Sequence, residues 1–170
     1  MRATLIGALA LAATGFGPGL ANVGQASAEP VSVEAVMTPT QSMRMDFADG
    51  SKHFVLMVRR EGAATGKGIF AGAKVVEHGW HDIYPPVAGD PHGYLELTAS
   101  NGDVAYLKWT VRAVFIKGAE KPALYDNGVW ELVSGTGQFA GLAGVGSLVI
   151  KPASPTDRRF ILEGEVGPRP

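Results

Sequence analysis

Two histidines and a carboxylate crowd one short stretch of this chain, His78, His81 and Asp82 within EHGWHD, and His92 lies across a loop from them. Imidazole and carboxylate together suit zinc binding or proton transfer. The spacing works against a site pre-formed on a strand, because positions 78 and 81 differ in parity and project to opposite faces. A bulge at Gly79 would restore a common face and let His92 join. Without that bulge they are polar residues at a strand end and a loop rim. The reading is therefore no metal and no cofactor, with His78, His81 and His92 the positions where a metal would have to sit.

A glycine-rich heptad occurs twice, as GKGIFAG from Gly66 to Gly72 and as GTGQFAG from Gly135 to Gly141. The second copy formally satisfies the dinucleotide fingerprint, which requires a helix directly after it to receive the pyrophosphate. The chain continues instead as GLAGVGSLVIKP, too rich in glycine for a helix and without a phosphate-binding lysine in place. The repeat reads as a device for turning and closing a sheet. Gly66, Gly68, Gly72, Gly135, Gly137 and Gly141 supply backbone freedom or room; Phe70 and Phe139 hold the same place in the two copies, and Phe139 plugs the end of the barrel. Gly135 and Gly137 are expected to hold backbone angles closed to other residues, and Gly141 to remove a side chain where strands crowd.

Aromatic residues give a third possibility, a ligand cavity lined by Trp80, Tyr84, Tyr94, Leu107, Trp109 and Trp130. A small barrel can hold one compact ligand if its interior is not filled. Trp109 shares an apolar face with Leu107 and Val111, so simple core is the competing reading for it. Nucleophilic catalysis finds little: there is no cysteine and no Gly-x-Ser-x-Gly elbow. Glu131, Glu163 and Glu165 fall where alternation turns side chains outward.

The elements that position these residues are β-strands. Period-two alternation dominates and helical periodicity is missing. Met43, Met45 and Phe47 point one way and Ser42, Arg44 and Asp46 the other, and Asp49-Gly50 turns the chain into a strand from His53 to Arg60. Leu95 and Leu97 alternate with Glu96 and Thr98, and Asn101-Gly102 is a type I′ hairpin signal. The next strand, Asp103 to Ile116, carries Ala105, Leu107, Trp109, Val111, Ala113 and Phe115 on one face. Further strands are expected at Val129–Ser134, Ser147–Lys151 and Arg159–Glu165, with loops at Tyr84–Gly93 and Gly118–Asn127. Seven to nine short strands with 23 glycines imply an all-β antiparallel barrel or sandwich, and closure removes exposed edges.

Residues 1–28 carry a leader pattern: Arg2, an apolar stretch from Ala3 to Leu11, and Ala26-Ser27-Ala28 as a small-x-small cleavage site before Glu29. The apolar stretch is far short of the roughly 20 residues that span a bilayer. Cleavage near Ala28 would send a domain of residues 29–170 to the periplasm or the exterior. With no cysteine, that domain must rely on core packing alone. The chain's 15 basic residues (one of them Arg2) and 16 acidic ones are interspersed, so no basic stripe invites nucleic acid or anionic lipid.

The stretch WELVSGTGQFAGLAGVGSLVI, from Trp130 to Ile150, resembles the C-terminal hairpin of the allene oxide cyclase-like and dirigent-like barrels of the calycin type, alongside small bacterial secreted proteins. The stretch GYLELTASNGDVAYLKW, from Gly93 to Trp109, is similar to the preceding hairpin of such bacterial proteins. Together they cover about a quarter of the chain. The resemblance implies a single antiparallel barrel of about eight strands, a central cavity for apolar or aromatic small molecules, and homo-oligomers. It carries over no catalytic residue. The functional reading is a non-enzymatic barrel that binds a small apolar or aromatic ligand. The alternatives are a cyclase- or isomerase-like enzyme acting on a hydrophobic substrate, and a structural or interaction module.

Overall fold

The computed structural model describes residues 27–118 and 122–170. Most of the leader pattern lies outside the described residues. The strands are β1 Glu29–Asp46, β2 Phe54–Ala63, β3 Thr65–Lys67, β4 Lys74–Tyr84, β5 Ala88–Gly89, β6 His92–Thr98, β7 Val104–Ile116, β8 Ala123–Gly135, β9 Leu142–Pro152 and β10 Arg158–Pro168. Among the described residues one 3₁₀ turn, Gly137–Phe139, is the sole helical element. Eight strands close into an antiparallel ring in the order β1, β2, β4, β6, β7, β8, β9, β10 and back to β1, with β3 and β5 attached to it.

Two expected loops are shorter than the alternation suggested. β6 already starts at His92, and β8 starts at Ala123, because residues 123–127 supply the partners that the long strand β7 needs from Arg112 to Ile116. The turn at Asn101-Gly102 also differs from type I′: Gly102 has φ 89°, but Asn101 has no positive φ. Asn101 instead accepts a hydrogen bond from the Asp103 backbone through Oδ1 at 3.0 Å, a local side-chain bond that fixes the turn without left-handed backbone at that position.

β1 closes the barrel by serving two neighbours, pairing with β10 through residues 29–37 and with β2 through residues 38–46. Between the two halves the register shifts from Pro39 to Gln41, leaving a bulge at Thr40. A one-residue bulge reverses which parity faces inward. Val31, Val33, Ala35 and Met37 are therefore buried, whereas Met43 and Met45 stand outside at 60% and 54% exposure. Following paired residues from Ser32 through Glu163, Ser147, Val129, Thr110, His92, Trp80 and Met57 returns to β1 at Met43, 11 residues further on. That stagger is the shear that tilts the strands of a closed barrel by about 35–45°.

The interior divides into two halves. At one end the two glycine heptads form matching turns, with Ala71 N donating to Gly68 O and Ala140 N to Gly137 O, both at 3.0 Å. Phe70 and Phe139 point inward from them, fully buried, with ring centroids 6.0 Å apart. Gly137 needs its glycine, at φ 48° with the Asp103 carboxylate where a Cβ would project. Two expectations are corrected here. Gly135 has no positive φ and serves by leaving room for Phe139, while Gly141 sits at φ 73° in open space and serves by its backbone angle, not by relieving crowding. Above the plugs, Trp130 lies against Gly144, Gly146 and Gly164, where added Cβ atoms would come within 3.3, 2.6 and 2.7 Å of its indole. These glycines are a niche for one large side chain.

Candidate functional site

The other half of the interior is polar. β2 and β4 pair so that Arg60 lies directly opposite Glu77, and the alternation of β4 turns Glu77, Gly79, His81 and Ile83 inward. Arg60 Nη1 donates to Glu77 Oε2 at 2.6 Å. His81 Nε2 lies 2.9 Å from Glu77 Oε1 and 3.3 Å from Arg60 Nη1; with its proton on Nε2 the ring donates to the carboxylate. Gly79 is required between them, since a Cβ there would fall 2.4 Å from Glu77 Oε1 and 2.7 Å from His81 Nε2. Both Glu77 oxygens are thus satisfied in a site removed from water, the condition under which a buried carboxylate is tolerated.

Asp126 joins the cluster from β8 and Arg158 from the start of β10. With Phe54, Leu56, Ile83, Leu124 and Ile150 they surround a cavity of about 60 Å³ at this end of the barrel. Arg60 Nε and Asp126 Oδ1 are buried without a hydrogen-bond partner among the described residues. Burial raises the Asp126 carboxyl to about 6, against the pull of His81, Arg158 and Arg60. Burial, then the like charge of Arg60, holds the Arg158 guanidinium below its ordinary value. Trp109 packs between this cluster and the apolar half, with centroids 5.7 Å from His81 and 6.2 Å from Phe160. Arg44 overhangs from β1, its guanidinium 3.7 Å from the Phe54 ring centroid. A carboxyl that titrates near neutrality, two guanidiniums and an apolar wall can bind a small molecule by its polar head or exchange a proton with it.

The fold scatters most of the residues singled out in the sequence. β4 runs through Gly79 without a bulge, so His78 faces outward and His81 inward. His92 lies on the outer side at the start of β6, its Nδ1 3.1 Å from Asp90 O. The barrel wall separates His81 from the other two, and no group of metal-ligating side chains is found among the described residues. Asp82 faces outward to His53, with Oδ1 and Nε2 2.5 Å apart. Leu107, Trp109 and Trp130 are interior. Trp80, Tyr84 and Tyr94 stand on the outer wall at 41%, 45% and 46% exposure and do not line the interior. Arg60, Asp126 and Arg158 were not legible as site residues: Arg60 and Arg158 are each half of an Arg-Arg pair, and Asp126 lies where a loop is expected.

The fold and site define a closed eight-stranded antiparallel barrel, filled at its glycine end and polar at the other. No family model matches the chain, and no curated protein matches it. Among solved structures it is similar to a beta-barrel like protein from Acinetobacter baumannii (12% identity, TM-score 0.56, 85% of this chain and 99% of that one). It is similar also to a protein with unknown function from Clostridium acetobutylicum (9% identity, TM-score 0.54, 85% and 99%). A pterocarpan synthase dirigent protein is aligned over 95% of this chain and 100% of its own, at 10% identity and TM-score 0.49. For the first two the likeness is one of fold. No helix among the described residues is long and apolar enough to cross a membrane.

Proposed function

We propose that this chain is an exported, non-enzymatic barrel of the dirigent-like and allene oxide cyclase-like type that binds one small, largely apolar organic molecule at its polar end. The observation that carries this reading is the pair of buried, unpartnered groups, Arg60 Nε and Asp126 Oδ1, lining a cavity otherwise walled by Phe54, Leu56, Ile83, Leu124 and Ile150. Unpaired buried polar atoms cost about 1–3 kcal/mol each, and a ligand head that bonds them returns that energy. The cavity of about 60 Å³ takes a head group, not a whole aromatic ligand; the ligand body would extend past Phe54 toward the rim. The leader pattern in residues 1–28 supports export.

An enzymatic reading, a cyclase or isomerase acting on a hydrophobic substrate, is favoured by the burial of Asp126, which pushes its carboxyl up to about 6, where a general acid or base is effective. Native mass spectrometry of the protein purified from the exported fraction of its own host tests the binding reading. A co-purifying small molecule, absent from the Asp126→Ala/Arg158→Ala variant, is the expected result. Ligand-free protein that also ignores apolar probes would overturn it.

A further inference from the structure

Glu77 is fully engaged, one oxygen by Arg60 and the other by His81. Lining the cavity are the unpartnered Arg60 Nε and Asp126 Oδ1 and the guanidinium of Arg158, whose Nη1 donates to Asp157 O at 2.9 Å. The charges facing Asp126 are Arg60 from β2, Glu77 and His81 from β4, and Arg158 from β10. The strands paired with β8 place Ala113 and Ile150 opposite Asp126, both uncharged. The two guanidiniums and Glu77 leave one net positive charge when Asp126 carries a proton and none when it does not, and a protonated His81 adds one more in either state. Charge balance in a buried site therefore differs between the two states by one anion.

We propose that the polar end is a site for a small monocarboxylate, taken together with a proton that resides on Asp126. This rests on the binding reading above and names the ligand's head group. One carboxylate oxygen accepts from Arg60 Nε, and the other accepts from the protonated Asp126 carboxyl. Arg158 supplies the second positive charge, and the alkyl portion meets Leu56, Ile83 and Ile150. Both unpartnered atoms of the cavity then gain a partner, and a carboxylate makes charge-assisted hydrogen bonds to the guanidiniums that a neutral alcohol or amide head does not. The elevated titration of Asp126 supports this, because a bound anion raises it further and makes proton uptake part of binding.

The test is calorimetric titration with sodium propionate, and with propionamide as its neutral isostere, in buffers of different ionisation enthalpy. Propionate is expected to bind at pH 5.5 and to weaken about 20-fold by pH 7.5, with close to one proton taken up per ligand at the higher pH. Asp126→Asn should remove the pH dependence and the proton uptake. Arg158→Gln should weaken propionate about tenfold or more while leaving propionamide unchanged. Propionamide binding as tightly as propionate, or propionate binding without proton uptake, would overturn the carboxylate assignment and leave the binding reading in place. If neither compound binds and larger apolar probes also fail, both fall together. The wild-type proton count needs no variant, so it decides the matter even if a substitution impairs folding.

Discussion

Arg60 and Glu77 face each other across the β2–β4 pair inside the barrel, joined by a 2.6 Å hydrogen bond and almost wholly removed from solvent. Such a pair is strongly destabilising to break and roughly neutral to replace. Glu77→Ala should lower stability by about 3–5 kcal/mol in chemical denaturation, because it strands a buried guanidinium. The double variant Arg60→Met/Glu77→Leu should recover most of that loss. A single-variant cost below about 1 kcal/mol would mean that water reaches the pair.

Asp126 sets a pH dependence of the opposite sign to that of a salt-bridged carboxylate. Its folded value is raised from 3.8 to about 6, so between these limits the folded state holds more protons than the unfolded one. Its contribution is favourable at acid pH and is lost as pH rises, by about 3 kcal/mol in full once pH passes 6. Asp126→Asn should therefore be more stable than wild type at pH 7, and the difference should vanish towards pH 4. Thermal melts of the two proteins across that range measure it, and a constant difference would remove Asp126 from the buried set.

The repeat makes its own prediction. Phe70 and Phe139 occupy equivalent places in heptads 69 residues apart and meet at 6.0 Å. Phe70→Ala and Phe139→Ala should each cost about 3–5 kcal/mol. A double-mutant cycle should give coupling on the order of 0.5–1.5 kcal/mol. Additive losses would place the two rings in separate cores.

Glycines of the second hairpin should respond unequally. Gly141, at φ 73°, has open space where a Cβ would project, so Gly141→Ala pays backbone strain alone, about 1–2 kcal/mol. At Gly146 a Cβ would fall 2.0 Å from Glu163 O and 2.6 Å from Trp130 Nε1. Gly146→Ala should separate β9 from β10 and expose Trp130, seen as a red-shifted fluorescence and a much larger loss of stability. Equal effects at the two positions would contradict the niche.

The barrel was legible because alternation and glycine spacing are local properties. Met43 and Met45 show what is not: the sequence states that they share a face, but the bulge at Thr40, set by how β1 divides its length between β10 and β2, decides that the face is outside. Strand parity separates His78 from His81 correctly, yet parity alone does not tell that His81 is the inward one. Trp80, Tyr84 and Tyr94 show the same limit, since half-exposed aromatics alternate as core residues do. The polar end escaped notice because its members come from β2, β4, β8 and β10, and only closure of the ring brings Asp126 to Arg60.

The chain's three tryptophans report on three regions: Trp109 beside the polar cluster, Trp130 in the glycine niche and Trp80 on the outer wall. A titration with short-chain carboxylates, followed by the three indole N–H resonances in a proton–nitrogen correlation spectrum, therefore maps where a ligand binds. Binding at the polar end predicts saturable movement of the Trp109 signal with Trp130 and Trp80 unmoved. A shift confined to Trp80, or none at all with apolar probes in excess, would contradict it.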